Sequence, residues 1–535
     1  MQWVRKARLE FDKYINHDWL RNITAIIGIN LLLAFTSLLK DIFFASYLGT
    51  SSEADAFLLS YFIIDTVGNN LWAAALGVAF LPAFSEMSLK MGRMKADQMF
   101  GQISLLSVLT GVIFIVLFYL FRFWVVDFIG QGLEQQVRVL AGKLLVILLP
   151  ALILFPLINV GISVLQVDRR FKLSAFSPVI FNSVLLGGTI IVWFASDVTE
   201  YGVMLLSGFI LISVFIQFFY TWSLLGAARF PKISSIFDIH GVKTNMKKVS
   251  ENFTPYFLVL LTSQVTYAVE RYLASGLGEG TLAALNYAFR IVQFPVWVFI
   301  AAISAVAFPT LSRKLLLEGQ EMFRMSVKQF LTVGLLLTIP MSIILFMLNT
   351  PIVSILFERG SFRHESTVMT SGIMSGYTLS IAWQGLSALL IRVCLLKDNK
   401  NLPLLAAVIS MLVNILLDLL LVKDFGAAGL GYGAAIGTFV NFSILFLFLR
   451  KELGFFFTPR RQFILPFTIS NSMIFLASIS YGQWWNTIEN CTLPMKWGSL
   501  SLFGFASLSI YMASYIWTKH TIEPNQTGNK KEIKS

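Results

Sequence analysis

Long apolar stretches separated by short polar segments are the main pattern along the chain. Apolar helices of about 20 residues are long enough to cross the hydrocarbon core of a bilayer. Fourteen stretches reach this length, at roughly 23–47, 55–85, 99–128, 140–167, 173–196, 201–227, 252–277, 282–311, 327–349, 367–395, 402–423, 427–449, 463–482 and 497–518. The pattern predicts an all-α polytopic membrane protein with about fourteen transmembrane helices.

Composition supports this class and argues against a nucleic-acid partner. The 535 residues are 56% hydrophobic and only 13% charged, whereas a soluble chain has about 25% charged residues. The net charge of +12 is spread over short loops and forms no continuous basic surface. Membrane lipid is therefore the expected surrounding.

Lysine and arginine residues cluster in alternate loops, and this sets the predicted orientation. The N-terminal tail is basic, and so are the loops near 90–95, 169–172, 229–248, 313–328, 397–400 and 450–461 and the C-terminal tail. Basic loops stay in the cytoplasm. Both termini are predicted to be cytoplasmic, and residues 350–366 to lie outside.

An internal repeat divides the chain into two similar halves. "ASYLG" (45–49) returns as "ASGLG" (274–278), "VAFLPAFS" (78–85) as "VAFPTLS" (306–312), and "SVLQVDRRFK" (163–172) as "RVCLLKDNK" (392–400). Chance recurrence in a biased composition is the alternative. The repeat predicts two parallel six-helix lobes, at 23–227 and 252–449, a basic linker at 228–251, two further helices within 463–518, and tails at 1–22 and 519–535.

Charged residues lie inside the predicted spans at matching positions of the two halves. Lys40 and Asp41 end the first span, and the offset of 229 residues brings Asp41 onto Glu270, beside Arg271. Arg290 lies at a similar depth in the next span. Such residues are costly in hydrocarbon and face a bundle interior or a wet cavity. Structural ion pairs are the alternative, although neighbouring side chains on a helix point about 100° apart and are expected to pair poorly.

Several motifs resemble one known family. "KDIFFASYLGTSSEADAF" with Pro82, "ERYLASGLGEGTLAALNYAFRIVQFP", "LFERGSF" and "RVCLLKDNKNLP" are similar to motifs of the MurJ (MviN) family of lipid-linked glycan flippases. That family belongs to a larger group that includes MATE-type multidrug exporters. The resemblance spans about residues 34 to 420.

The resemblance implies a transporter of the bacterial cytoplasmic membrane and not an enzyme. It implies a cavity between the lobes that carries a polyprenyl-pyrophosphate sugar head group across the membrane. Lipid II is the expected cargo, and another undecaprenyl-linked repeat unit is the alternative. The resemblance also makes cell-wall synthesis proteins candidate partners.

The resemblance further implies which residues bind the substrate. Arg290 matches a pyrophosphate-binding arginine, Lys40 stands where the family usually has arginine, and Asp41 matches the neighbouring aspartate. Arg271 and Asp65 complete the set of candidate substrate-binding residues.

The chain also departs from the family pattern in two of its spans. Ala34 and Gly68 stand where the family has arginines, and Asp65 adds a negative charge. The cationic lining is therefore thinner than the family's, which favours the alternative cargo.

A second group of polar residues points to a cation. Asn414 and Asp418 are four residues apart and share one helix face, and carboxylate and amide oxygens suit a hard cation. The resemblance implies a sodium ion shared with Glu270, with Thr438 as a candidate further ligand. A simple polar contact between helices is the alternative.

Other sites are not indicated by the sequence. The four histidines are far apart, so no histidine-based metal site is expected. No Walker A loop occurs, so ATP is not expected as a ligand. Cys394 and Cys491 are predicted to lie near opposite faces and not to pair. A cation-coupled drug antiporter and a membrane scaffold remain the competing classes of function.

Overall fold

The computed structural model describes residues 17–226, 239–397, 399, 401–453, 461–488 and 491–522. Within these ranges the chain folds into helices joined by short turns. The helices are α1 (His17–Leu48), α2 (Ser52–Ile64), α3 (Ala74–Met91), α4 (Arg93–Ile129), α5 (Gln135–Leu148), α6 (Ala151–Val167), α7 (Phe171–Ala195), α8 (Glu200–Ser223), α9 (Ile239–Ser275), α10 (Thr281–Arg313), α11 (Gln320–Met347), α12 (Asn349–Phe357), α13 (His364–Thr378), α14 (Ile381–Leu396), α15 (Asn401–Phe425), α16 (Ala427–Leu453), α17 (Arg461–Ile488) and α18 (Leu493–Ile522). A π-helical segment, Asp65–Ala73, joins α2 to α3.

Each predicted span coincides with a helix or with consecutive helices. Among the described residues, nine continuous helical stretches are long and apolar enough to cross a membrane, and two bent pairs raise the number to eleven. The remaining three predicted spans coincide with α9, α10 and α17, which have 37, 33 and 28 residues. The prediction of an all-α polytopic membrane protein is confirmed.

Two spans predicted as single segments are bent. α5 and α6 meet at 45°, and α13 and α14 meet at 41°. Pro150 stands at the first bend, where its missing N–H cannot continue the helical hydrogen bonds. At the second bend, the N–H groups of Leu379 and Ser380 donate to carbonyls three residues earlier, which tightens the turn.

The packing repeats between the two halves of the chain. α1 packs on α7, and its counterpart α9 packs on α15. α3 packs on α6, and in the second half α10 packs on α13. These contacts pair helices at similar places in the two halves, which we call the first lobe (α1 to α8) and the second lobe (α9 to α16).

The lobes meet along α9 and α10. α9 packs against α3 and α4, and α10 packs against α1 and α2. α17 and α18 pack against each other, and α17 also packs against α11. We call the end of the bundle formed by residues 49–51, 196–199, 276–280 and 358–363 the gate end. The opposite end, which carries the turns at 92, 168–170 and 314–319, is the basic end.

Several predicted boundaries differ from the helices. α1 begins at His17, inside the predicted tail 1–22, and α9 already includes residues 239–251 of the predicted linker. The predicted outer loop 350–366 contains most of α12. Residues 1–16, 227–238 and 523–535 lie outside the described residues. Cys394 and Cys491 are both free thiols.

Candidate functional site

A cavity of about 940 Å³ lies between the two lobes. Its walls come from α1, α2, the π-helical segment and α6 to α8 on one side, and from α9 and α10 on the other. Four charged side chains line it: Lys40, Asp65, Arg271 and Arg290. Asp41, the fifth residue predicted to bind substrate, is buried next to Lys40 and is 6% exposed.

Lys40 and Asp41 form an ion pair with each other. The Nζ atom of Lys40 lies 2.6 Å from Oδ1 of Asp41, and it also lies 4.9 Å from the centre of the Phe44 ring. The expectation that helix neighbours would not pair is wrong here, because the long, flexible lysine stem bends back across the 100° that separates the two residues. Lys40 therefore reaches the cavity with part of its charge already compensated.

Glu270 and Arg271 do not pair in the same way. Arg271 donates from Nη1 to the carbonyl oxygen of Tyr267 at 3.0 Å, and its guanidinium group lies 3.9 Å from the centre of the Phe62 ring. Phe62 belongs to α2, so this cation–π contact crosses between the lobes. Glu270 is 1% exposed and accepts a hydrogen bond from the hydroxyl of Tyr377 at 2.7 Å.

Asp65 is held in the cavity wall by two asparagines. Its Oδ1 accepts from Asn69 at 3.0 Å, and its Oδ2 accepts from Asn70 at 2.9 Å. The wider π-helical turn places residues four and five apart on one face, so both amides reach the same carboxylate. Arg290 lies close enough to Asp41 and Asp65 to interact with them electrostatically.

The predicted cation site brings three of its four residues together. Asp418 is fully buried, Asn414 is 7% exposed, and Glu270 and Asp418 interact electrostatically. Within the described part of the chain, Oε1 of Glu270, Oδ1 of Asn414 and both carboxylate oxygens of Asp418 have no hydrogen-bond partner. Gly433 of α16 packs directly against the Asp418 and Asn414 oxygens, with no room for a side chain.

This donor set fits a hard cation. The buried carboxylates of Glu270 and Asp418 repel each other, and a buried charge needs a compensating partner. Unpartnered carboxylate and amide oxygens are the ligands that sodium or calcium ions prefer. The hydroxyl of Thr438, the fourth candidate ligand, donates to the carbonyl oxygens of Ala434 and Ala435 in its own helix.

The cavity is closed at the gate end by hydrogen bonds between the lobes. Asp55, in the first turn of α2, accepts from the backbone N–H groups of Gly280 and Ala283 at 2.7 and 2.9 Å. These N–H groups belong to the start of α10, so the carboxylate caps a helix of the other lobe. Ser52 donates to Glu279 from its hydroxyl at 2.8 Å and from its backbone N–H at 3.0 Å.

A second set of contacts extends this closure. The hydroxyls of Thr50 and Ser366 lie 2.8 Å apart, and the N–H of Ser361 donates to the carbonyl of Ser46 at 2.8 Å. Gly49 lies against Ser361 with a φ of +59°, where a side chain would strain the backbone and collide.

Sequence reasoning missed Asp55, Tyr377 and the two asparagines beside Asp65. Asp55 carried a signal, since an acidic residue in the first turn of a helix favours a capping role. Tyr377 carried none, because a tyrosine in an apolar span is usually a packing residue.

The sequence matches one family profile and several curated relatives of that family. The profile of the family described as "Lipid II flippase MurJ" matches residues 44–493. A probable lipid II flippase MurJ from Thermotoga maritima is 26% identical over 423 residues, covering 78% of this chain and 83% of the relative. One from Vibrio cholerae is 23% identical and covers 95% of this chain and 96% of the relative.

Solved structures of similar fold include both flippases and drug transporters. A lipid II flippase MurJ in an inward closed conformation has a TM-score of 0.75 at 23% identity, covering 94% of this chain and 99% of that one. An inward-facing multidrug resistance MATE family transporter of the MOP superfamily has a TM-score of 0.70 at 15% identity, covering 81% and 98%. These likenesses support the fold. Because the family profile matches residues 44–493, which is most of the chain, the protein belongs to the lipid II flippase MurJ family.

Proposed function

We propose that this multi-pass membrane protein moves lipid II from the inner to the outer leaflet without altering it chemically. The observation that carries the proposal is the cavity between the lobes, with three cationic side chains near the gate end. A pyrophosphate that leaves water needs such cations, since charge-assisted hydrogen bonds replace its hydration.

The two lobes supply the cations from opposite sides. Lys40 lies on α1, and Arg271 and Arg290 lie on α9 and α10. A pyrophosphate bound between these cations would draw the lobes together. Substrate binding would thereby be coupled to a change in which end of the cavity is open. In one of the two states, the hydrogen bonds between the lobes keep the gate end closed.

The proposed orientation places the basic end in the cytoplasm. Lys90, Arg93, Arg169, Arg170 and Arg313 all lie at or near the turns of that end. Both termini are then cytoplasmic by the positive-inside rule, and substrate enters from the basic end while the gate end faces outward.

A different undecaprenyl-linked repeat unit is the second candidate substrate. The observation that favours it is the lining itself, where Ala34 supplies no charge and Asp65 supplies a negative one. A head group with fewer negative charges than lipid II would fit this balance better.

We also propose that a sodium ion binds Glu270, Asn414 and Asp418. The unpartnered oxygens of these three residues support it. An ion bound there would link α9 to α15 within the second lobe, and its entry and release would bias the position of α9 relative to the first lobe.

Depletion of the protein in its native host, followed by identification of the lipid-linked intermediates, tests the proposal. Lipid II should accumulate in the inner leaflet, and reintroduced wild-type protein should reverse this. Accumulation of another undecaprenyl-linked glycan would favour the second candidate. If no lipid-linked intermediate accumulates, the flippase proposal is wrong.

A further inference from the structure

The cavity wall of the first lobe is rich in carboxamides. Six side chains of this kind line the cavity from that lobe: Asn30, Asn69, Asn70, Asn159, Asn182 and Gln217. We call them the carboxamide wall. Asp65 is the charged residue among them, and Phe155 and Phe181 provide apolar faces in the same wall.

The wall and the cations occupy different depths. Lys40 is eight residues from the gate end of α1, and Arg290 is nine residues from the gate end of α10, so each lies roughly 12–14 Å deep at 1.5 Å per residue. Asn30 and Asn70 are each eighteen residues from the gate ends of their helices, at roughly 27 Å. The cavity therefore has a cationic part near the gate end and, toward the basic end, a part lined by carboxamides and Asp65.

The carboxamides retain hydrogen-bonding capacity. Asn69 and Asn70 each donate one side-chain N–H to Asp65, and both residues line the cavity, where their side-chain carbonyl oxygens accept no hydrogen bond from the described residues. Asn30 and Asn182 make no hydrogen bond to other described residues, although both line the cavity. A carboxamide presents a donor and an acceptor in one plane, which matches two neighbouring hydroxyls of a sugar or a sugar and its N-acyl group.

We propose that the carboxamide wall recognises the uncharged sugar attached to the pyrophosphate, and that Asp65, Asn69 and Asn70 determine which sugar is accepted. This rests on the proposed flippase function and specifies its substrate. Asp65 accepts hydroxyl hydrogen bonds and repels a carboxylate on the sugar. The substrate class is a polyprenyl pyrophosphate whose first sugar is neutral and rich in hydroxyl or N-acyl groups.

The carboxamide wall explains how a chain with few arginines in its cavity could still select its substrate. A site built to hydrogen-bond hydroxyl or amide groups discriminates strongly against analogues that lack them, because its own polar groups are then left unpaired. The carboxamides and Asp65 carry no positive charge that would attract the pyrophosphate, so selection of the sugar is separate from binding of the anion.

Binding measurements on the full-length protein in lipid nanodiscs test the proposal with two probes, undecaprenyl pyrophosphate and the same lipid carrying one N-acetylhexosamine. Asn69→Leu/Asn70→Leu should weaken binding of the sugar-bearing probe about thirtyfold, as loss of two hydrogen bonds of about 1 kcal/mol each implies. The same variant should bind the sugarless probe as the wild type does. Lys40→Ala should weaken both probes by the same factor.

Asn471→Leu is the matched control, because Asn471 is a buried asparagine of α17 outside the cavity. It should change neither affinity, and thermal unfolding should confirm that every variant is folded. The proposal would be overturned if the Asn69/Asn70 variant lost affinity equally for both probes, or lost affinity for neither. If the wild type binds neither probe, the flippase function itself is wrong.

A third probe tests the charge discrimination by Asp65. Undecaprenyl pyrophosphate carrying a hexuronic acid should bind the wild type more weakly than the N-acetylhexosamine probe does. Asp65→Asn should reduce this difference in affinity between the two probes. Equal affinity of the wild type for the two sugars would show that Asp65 does not select against charge.

Discussion

At the scale of single residues, Lys40 and Arg290 differ in how their charges are compensated. Lys40 is 2.6 Å from Asp41, whereas Arg290 makes no ion pair within 4 Å among the described residues and interacts with Asp41 and Asp65 only at longer range. Arg290 is therefore the more available cation, and Asp41 positions Lys40 at the cavity wall.

Replacing either cation should impair transport. Lys40→Ala and Arg290→Ala should each reduce flipping about tenfold to a hundredfold, since a hydrogen bond to a charged group contributes roughly 1.5–3 kcal/mol. Lys40→Arg should stay active, because arginine keeps the charge and adds a second donor. Flipping is measured by reconstitution with labelled lipid II, and insertion by membrane content.

Lys143→Ala is the control for these variants. Lys143 pairs with Glu200 on an exposed surface at 2.6 Å, and such pairs contribute little. Transport at the wild-type rate by Lys40→Ala would assign Lys40 a structural role only, as a partner of Asp41.

Asp418 allows a test of the sodium proposal. Asp418→Ala should abolish the sodium-dependent rise in thermal stability or change in tryptophan fluorescence, because it removes two of the four unpartnered oxygens. Asp424→Asn, an exposed carboxylate in the last turn of the same helix, should leave the response intact. An unchanged sodium response in Asp418→Ala would exclude this site.

At the scale of helices, the closure at the gate end depends on how α2 and α10 begin. The Asp55 carboxylate binds two N–H groups at the first turn of α10, where the helix dipole adds to the attraction. Asp55 therefore joins the lobes through backbone N–H groups that have no partner within α10, whether the gate end is open or closed.

Weakening this contact should open the gate end. In Asp55→Asn, one oxygen becomes an NH₂ group that cannot accept, so about 1–3 kcal/mol of closure is lost and the open state gains about fivefold to a hundredfold. A cysteine at Asn286, in the cavity near the start of α10, should then react faster with a membrane-impermeant thiol reagent from the gate end.

Asp197→Asn provides the comparison, because Asp197 is an exposed carboxylate of the gate end whose side chain makes no hydrogen bond to the described part of the other lobe. It should leave the labelling rate unchanged. Equal labelling of the Asp55 variant and the wild type would mean that the gate end is held closed without Asp55.

At the scale of the whole molecule, transport requires the lobes to separate at the gate end. The Thr50 and Ser366 hydroxyls, 2.8 Å apart on different lobes, provide a place to prevent this. In a chain without native cysteines, Thr50→Cys/Ser366→Cys should form a disulfide, since the two side chains are within its reach. Oxidation should stop flipping, and reduction should restore it.

Each single cysteine variant should flip lipid II at the same rate under oxidising and reducing conditions. Transport by the fully cross-linked protein would contradict alternating access at this end.

Orientation is a second property of the whole molecule that labelling can decide. Ser361 is exposed at the gate end, and Met94 is 79% exposed near the basic end. In intact cells a cysteine at Ser361 should react with an impermeant reagent, and one at Met94 should react only after permeabilisation. The reverse result would invert the proposed topology.

The sequence by itself determined the spans, the repeat and the residue types of the two candidate sites. Apolar length fixes membrane helices because unpaired backbone groups are too costly in lipid, and no tertiary contact is needed to recognise them. Lys40 and Glu270 were recognisable in the sequence because a charged side chain is costly in hydrocarbon.

Only the tertiary structure decided which partners these residues have. The pairing of Lys40 with Asp41 depends on a side-chain conformation, and the contact of Asp55 with α10 joins residues 225 or more positions apart. The π-helical turn brings Asp65, Asn69 and Asn70 together on one face of the helix. Hydropathy records how much each residue avoids water, whereas these contacts depend on direction and distance, which exist only once the lobes are assembled.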